Sequence, residues 1–127
     1  MAIEEVLTAR LKAYSGLTAL VSTRIYPLPL PQNTTFPAVV YETVSGFEYP
    51  AFSSNSGTAE RLFQITVWGE TTSSVKAVEA QLKGALERWR DSGNGVQDVF
   101  LVNQNDLYSD QLQLRASALD FRFLISV

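Results

Sequence analysis

The chain contains no cysteine and no histidine. Without cysteine there is no disulfide framework and no thiolate metal site. Without histidine the commonest general base and the commonest metal ligand are both missing, and Ser-His-Asp or Cys-His arrangements cannot be built within one chain. Any metal site would have to be all-oxygen. No apolar run approaches the ~20 residues needed to span a bilayer. A basic excess is also lacking. Thirteen Asp and Glu against ten Lys and Arg leave a net charge of −3, which argues against a phosphate-binding surface spread over the whole fold. The start, Met1-Ala2-Ile3-Glu4-Glu5, is acidic where a secretory signal would be basic, so no secretion signal is expected and the sequon at Asn33 carries no information. These absences leave little room for an enzyme, and none is expected; nor is a cofactor.

What is present is core-forming material. Of 127 residues, 46% are hydrophobic, and a chain of this length buries roughly two-thirds of its unfolded surface, enough for one core. One domain over 1–127 is expected. Its clearest element is the end of the chain. Leu119, Phe121, Phe123 and Ile125 alternate with Asp120, Arg122 and Leu124. A period of two puts the first set on one face of a strand over 114–127 and the second on the other. Free termini fray, so a strand here is expected to be tied into a sheet.

Further strands are expected over 38–45, over 59–68 with Phe63, Ile65 and Val67 on one face, and over 96–103. Ile3, Leu7, Leu11 and Tyr14 follow helical spacing over 3–14, with Glu4 and Glu5 in the first turn where the helix dipole favours them. Residues 17–22 suit a further short helical turn, and Arg24-Ile25-Tyr26 reads as a brief extended piece ended by Pro27. Thr72 or Ser73 is placed to cap a helix ending near Arg90, with Val75, Val78, Leu82, Leu86 and Trp89 as its apolar stripe. Glu79-Lys83 and Lys83-Glu87 have the spacing of surface ion pairs. Alternate prolines at 27, 29 and 31 exclude helix and give a stiff connector or a docking arm. The fold class is therefore α+β: a single domain, a mostly antiparallel four-stranded sheet, and two main helices packed on one face.

Two segments do not fit simple connections. Residues 46–58 form a loop too long for a tight hairpin, and they combine Phe47, Tyr49 and Phe52 with Ser, Gly and Asn. Such aromatics either fold back on the sheet or order against another subunit. Residues 103–113 read as a polar connection.

Chemistry has few candidates. Asp98, Asp106 and Asp110 have no EF-hand spacing, and the expected role of each is to cap a turn or stay solvated. Gly93-Asn94-Gly95 lacks the Lys and Ser/Thr of a phosphate loop. Arg61 and Arg122 are candidates to share a sheet face, but Phe121 and Phe123 lie opposite Arg122, so a nucleic-acid stacking platform is not formed. Asp120 and Arg122 suit either cross-strand pairing on a solvated face or charge registration at a subunit boundary.

An ordered set of segments carries a resemblance. Arg24-Ile25-Tyr26-Pro27 is followed by Phe36-Pro37-Ala38-Val39-Val40-Tyr41-Glu42, then Phe63-Gln64-Ile65-Thr66-Val67-Trp68, then Asp106-Leu107-Tyr108 and Leu119-Asp120-Phe121-Arg122-Phe123. In this order and spacing the chain resembles the tail completion proteins of long-tailed bacteriophages, related in kind to tail terminators, over nearly its whole length. The resemblance implies a structural virion protein at the head-tail junction, made in the host bacterial cytoplasm. It implies a protein that caps the tail tube, joins it to the head and assembles as a ring, with a hexamer expected. Its partners would be further copies of itself, the tail-tube protein and the head connector protein, with DNA crossing the lumen without specific binding and no membrane. The family motifs are fold residues, so no catalytic positions carry over. The candidate subunit or tail interface is Phe47, Glu48, Tyr49, Phe52, Asp120 and Arg122. The alternatives are another head-tail joining or minor tail protein, and a small dimeric ligand-binding α+β domain.

Overall fold

The structure, a computed structural model, describes residues 2–50 and 55–126. Its elements in chain order are α1 (Ile3–Ala13), α2 (Ser15–Val21), β1 (Ile25–Pro27), β2 (Ala38–Pro50), β3 (Asn55–Gly69), α3 (Thr72–Leu86), a single 3-10 turn (Ser92–Asn94), β4 (Val96–Ser109) and β5 (Leu114–Ser126). The strands form one sheet in the order β1-β2-β3-β5-β4. Every pairing is antiparallel except β1 with β2. The α+β class stands. The expected four strands become five in a mixed sheet, and the short helical turn expected over 17–22 is a third helix, α2. The fifth strand falls on the brief extended piece expected over 24–26; it is short and parallel, with Ile25 opposite Val39.

The helices share one face of the sheet because their buried residues and those of the strands make one cluster. Val6, Leu7, Leu11, Leu17 and Val21 from α1 and α2 meet Val75, Val78, Leu82, Ala85 and Leu86 from α3 over Val39, Phe63, Ile65, Val67, Leu119, Phe121 and Phe123. The alternation of the last strand holds: Leu119, Phe121, Phe123 and Ile125 are all buried. Phe63 and Phe123 meet edge to face at 5.1 Å, an arrangement favoured by the ring quadrupole. β5 lies between β3 and β4 and pairs along both edges.

The long loop expected over 46–58 is largely strand. β2 runs to Pro50 and β3 starts at Asn55, with Glu48 opposite Ala59. The polar connection expected over 103–113 is likewise strand as far as Ser109, followed by a tight turn into β5. In both cases hairpin pairing satisfies the backbone whatever the side chains are, so polar composition does not end the strand. Each hairpin has two register shifts: one is at Val44 between Thr43 and Ser45 in the first and at Val102 between Leu101 and Asn103 in the second, and the others fall between Glu48 and Pro50 and between Val96 and Asp98.

Helix ends also differ from expectation. α1 stops at Ala13, one residue short of the expected 3–14, and Tyr14 separates it from α2. The cap of α3 is Thr71, whose hydroxyl accepts from the Ser74 N–H at 3.1 Å. The helix ends at Leu86 rather than near Arg90 because tertiary bonds take over the chain. Arg88 adopts a left-handed φ of 58°, its N–H donates to the Val99 carbonyl at 2.7 Å, and its guanidinium forks onto Asp98. Trp89 thus lies beyond the helix, edge on to Phe123 at 6.4 Å and under the guanidinium of Arg10 at 5.2 Å. Arg10 also donates to the Ala85 carbonyl at 2.9 Å, so it joins α1 to the electronegative end of α3.

Candidate functional site

The sheet register sorts the residues by face. Residues opposite one another in a ladder share a face, so Arg122, opposite Leu62 and Phe100, and Asp120, opposite Gln64 and Asn103, lie on the face without helices. Arg61 is opposite Phe123 and belongs to the other face; Arg61 and Arg122 therefore do not share a surface.

Asp120 accepts from Gln64 Nε2 at 3.2 Å and from Asn103 Nδ2 at 3.4 Å. Three strands are thereby linked across the helix-free face. The Arg122 guanidinium lies over the Phe100 ring at 5.3 Å, and Arg88 covers the same ring at 4.9 Å. Each such cation–ring contact is worth about 0.5–1 kcal/mol at an exposed site. Asp120 and Arg122 do not pair with each other: two residues apart on one strand, each is engaged with a neighbouring strand instead.

Of the other candidates, Phe47 projects from β2 and is 55% exposed. Its register partner is Glu60, so it too stands on the helix-free face. Glu48 and Tyr49 continue β2 toward the hairpin tip, and Phe52 lies outside the described residues. The structure thus brings Phe47, Asp120 and Arg122 onto one face. Phe47 stands nearest the tip, followed by the row of Arg122 and then the row of Asp120.

Asp98, Asp106 and Asp110 do not gather into one site. Asp98 accepts from Arg88 at 2.7 and 3.0 Å and from Arg90 at 3.2 Å. The Arg88 bond above all, with help from the Val99 N–H and Arg90 and against the effect of burial, holds its carboxyl down to about 2 from the usual 3.8. Asp106 is not in a turn; it sits within β4 and binds Lys76 at 2.8 Å. Asp110 lies in the turn before β5. Among the described residues no group of three or more acids is placed to hold a metal ion.

Glu79 departs from the surface ion-pair role that its spacing to Lys83 suggests, being only 5% exposed. Its carboxylate accepts from the buried Ser117 hydroxyl at 2.8 Å, from Gln104 Nε2, and from Lys76 at 3.2 Å and Lys83 at 3.3 Å. Burial pushes its pKa up, but these bonds outweigh that and leave it below the ordinary value. A signal for this is present in the sequence: positions 75, 78, 79 and 82 form the i, i+3, i+4, i+7 pattern of a core-facing stripe, and Glu79 falls inside it.

The proline-rich segment makes a feature that sequence alone does not place. Residues 28–36 fold against the helix-free face and leave a cleft of about 920 Å³, bordered by Leu28, Leu30, Phe36, Val40, Trp68 and Leu114. It lies at the end of the sheet away from the hairpin tip, since Trp68 pairs with Ala38 while Phe47 pairs with Glu60.

Together these features define a small α+β domain with its helices on one face of the sheet, an open opposite face and two hairpins, and with Glu79, Asp98, Asp106 and Asp120 engaged in structural bonds. The family described as Tail completion protein gp17 matches residues 5–126. The chain belongs to this family of structural proteins of the bacteriophage virion. A solved chain from the structure described as "Virion of native gene transfer agent (GTA) particle" superposes with a TM-score of 0.78 over 99% of this chain and 98% of that one, at 20% identity; this likeness is one of fold. No curated protein matches the sequence.

Proposed function

We propose that the chain caps the tail tube and joins tail to head, assembling as a ring of identical copies, with six as the expected number. The observation that carries this reading is family membership over almost the whole chain; the fold likeness to a chain of a gene transfer agent virion agrees with it. The surface is consistent. Leu28, Val44, Phe47, Val102, Leu107, Tyr108 and Leu112 are all exposed, and exposed apolar and aromatic side chains are the kind that anchor contacts between subunits. A ring repeats each contact by symmetry, so modest interfaces sum to firm closure. The tail-tube protein on one side and the head connector on the other are the proposed partners. A net charge of −3 suits a lumen that DNA must cross without being held, because phosphate contacts retard it. Phe47, Glu48, Tyr49 and Phe52, with Asp120 and Arg122 on the open face, are the proposed contact residues.

The test is deletion of the coding sequence followed by electron microscopy of the lysate. Tails of uncontrolled length, or finished tails without heads, are expected; normal virions would refute the reading. The cleft beside Trp68 is the one observation favouring the alternative of a small ligand-binding domain, since its volume lies in the range of ligand pockets, about 300–1,000 Å³. Normal virions in the deletion, together with ligand-induced stabilisation of the pure protein, would select that alternative.

A further inference from the structure

β2, beside the three-residue edge strand β1, and the edge strand β4 are each covered along one half and open along the other. On β2, β1 covers the first half: Ile25 to Pro27 pair with Val39 to Tyr41, and the Leu28 N–H donates to the Tyr41 carbonyl at 3.0 Å. On β4, the connection after α3 covers the first half: Asp91 exchanges both backbone bonds with Val96 at 2.9 Å, and the Arg88 N–H donates to the Val99 carbonyl at 2.7 Å. Ladder alternation then fixes which later residues point their backbone outward. They are Thr43 and Gly46 on β2, and Leu101, Gln104, Asp106 and Tyr108 on β4. None of these six has an outward backbone partner among the described residues. The open stretches, from Thr43 on β2 and over 101–109 on β4, both carry exposed apolar side chains: Val44 (53%) on β2, and Val102 (49%), Leu107 (49%) and Tyr108 (51%) on β4. Long open edges are pairing templates that soluble proteins ordinarily cover.

Strand direction decides what can pair with what. β2 is antiparallel to β3, β3 to β5 and β5 to β4, so β2 and β4 run in opposite directions. A second copy in the same orientation therefore sets its β2 antiparallel to β4 of the first, which continues the pattern of the sheet. The blocked halves choose the register. The open half of β2 lies toward the hairpin tip and the open half of β4 toward the opposite end, because Leu101 stands in the row of Phe121, Phe63 and Thr43. Neighbouring copies must then be displaced along the strands by about seven residues, roughly 23 Å at 3.3 Å per residue.

We infer that the open half of β4 in one copy pairs with the open half of β2 in the next, joining the sheets of the ring edge to edge. The contact is heterologous, each copy offering one edge and receiving the other, which is the kind that closes into rings. Its stagger tilts the strands against the ring axis, as shear does in a closed barrel. This inference rests on the ring assembly proposed above and identifies the surface that makes it.

The test uses two full-length variants that alter only exposed side chains: Val44→Lys, which charges the β2 edge, and the pair Val102→Lys with Leu107→Lys, which charges the β4 edge. Edge lysines are the natural device against strand addition, and circular dichroism confirms that each variant is folded. Where the unsubstituted chain forms rings, in solution or on isolated tail tubes, each variant alone should sediment as a monomer of 14.1 kDa. Mixed in equal amounts, they retain one intact β4 edge and one intact β2 edge, and should form a 1:1 dimer and nothing larger. Rings from both variants would overturn the edge contact while leaving ring assembly standing. Assembly lost in only one of the two would overturn it in favour of that edge pairing with itself or with another virion protein. If the unsubstituted chain forms no ring in either setting, the ring reading falls, and the inference with it.

Discussion

Replacing Glu79 with alanine tests how the helix layer is held to the sheet. The carboxylate is 5% exposed and accepts the hydroxyl of Ser117, itself 0% exposed, at 2.8 Å. Truncation strands that hydroxyl without a partner, at a cost of about 1–3 kcal/mol. Lys76 and Lys83 reach solvent and are rehydrated, so each contributes under about 1 kcal/mol. Lost burial of the side-chain methylenes adds about 1 kcal/mol. With the solvent-reaching lysines counted at the low end, the sum is about 2–4 kcal/mol, a large part of the roughly 5–15 kcal/mol that stabilises an ordinary domain. With a urea slope of about 1–2 kcal/mol/M for a chain of this size, the unfolding midpoint should fall by about 1–4 M. Glu79→Gln keeps the shape and an acceptor for Ser117 and should lose about 1 kcal/mol. In a cycle with Ser117→Ala, the double variant should recover about 1–2 kcal/mol relative to the sum of the singles, because the stranded hydroxyl is gone. A midpoint shift for Glu79→Ala below about 0.3 M, or strict additivity in the cycle, would show that the buried carboxylate does not hold α3 to β5.

Other outcomes follow from the same geometry. Phe121→Ala, at a site with 0% exposure, should cost about 3–5 kcal/mol in urea unfolding by opening a cavity between sheet and helices. Phe47→Ser should leave stability within about 0.5 kcal/mol of the parent, since the side chain is 55% exposed, while weakening ring formation measured by light scattering. Extending the change to Tyr49 and Phe52 should weaken it further, and unfolding of the triple variant would place those rings in the core. Asp98 has a folded pKa of about 2 against the ordinary 3.8. A lowered pKa means its stabilisation is complete above about pH 4 and lost as pH falls to about 2, so the gap in urea midpoint between the parent and Asp98→Asn at pH 7 should close over that window. Thr71→Ala should cost about 1 kcal/mol in urea unfolding by removing the cap of α3.

The elements with strong periodicity are legible in the residues alone. The last strand, the β3 alternation through Phe63, Ile65 and Val67, and the apolar stripe of α3 each repeat a core-facing residue at the period of their own backbone. The family likeness is legible for the same reason, since its recurring segments are core strands in a fixed order. Glu79 escapes such a reading when its charge is weighed above its position inside a helical stripe. The far halves of β2 and β4 escape it because their side chains are polar or exposed and their backbone is satisfied by pairing rather than by any local pattern. The proposed contact residues come from composition and resemblance, and the fold places Phe47, Asp120 and Arg122 together on the helix-free face.

Composition and local period by themselves settled that the chain forms one α+β core, that it lacks the usual thiol and imidazole catalytic groups, and which faces of its main elements turn inward. These follow from the residue inventory and from repeats of two and about 3.6 residues, which are properties of neighbours in the chain. Tertiary structure alone decided the pairing of the fifth strand with β2, the end of α3 at Leu86, the cleft beneath the proline-rich arm and the half-blocked edges. Each depends on a hydrogen bond or contact between residues that are not neighbours in sequence: Ile25 beside Val39, Arg88 on Val99, Phe36 near Trp68, Asp91 with Val96 across the 3-10 turn. A backbone donor takes whichever acceptor the fold brings to it, and no local pattern records that choice.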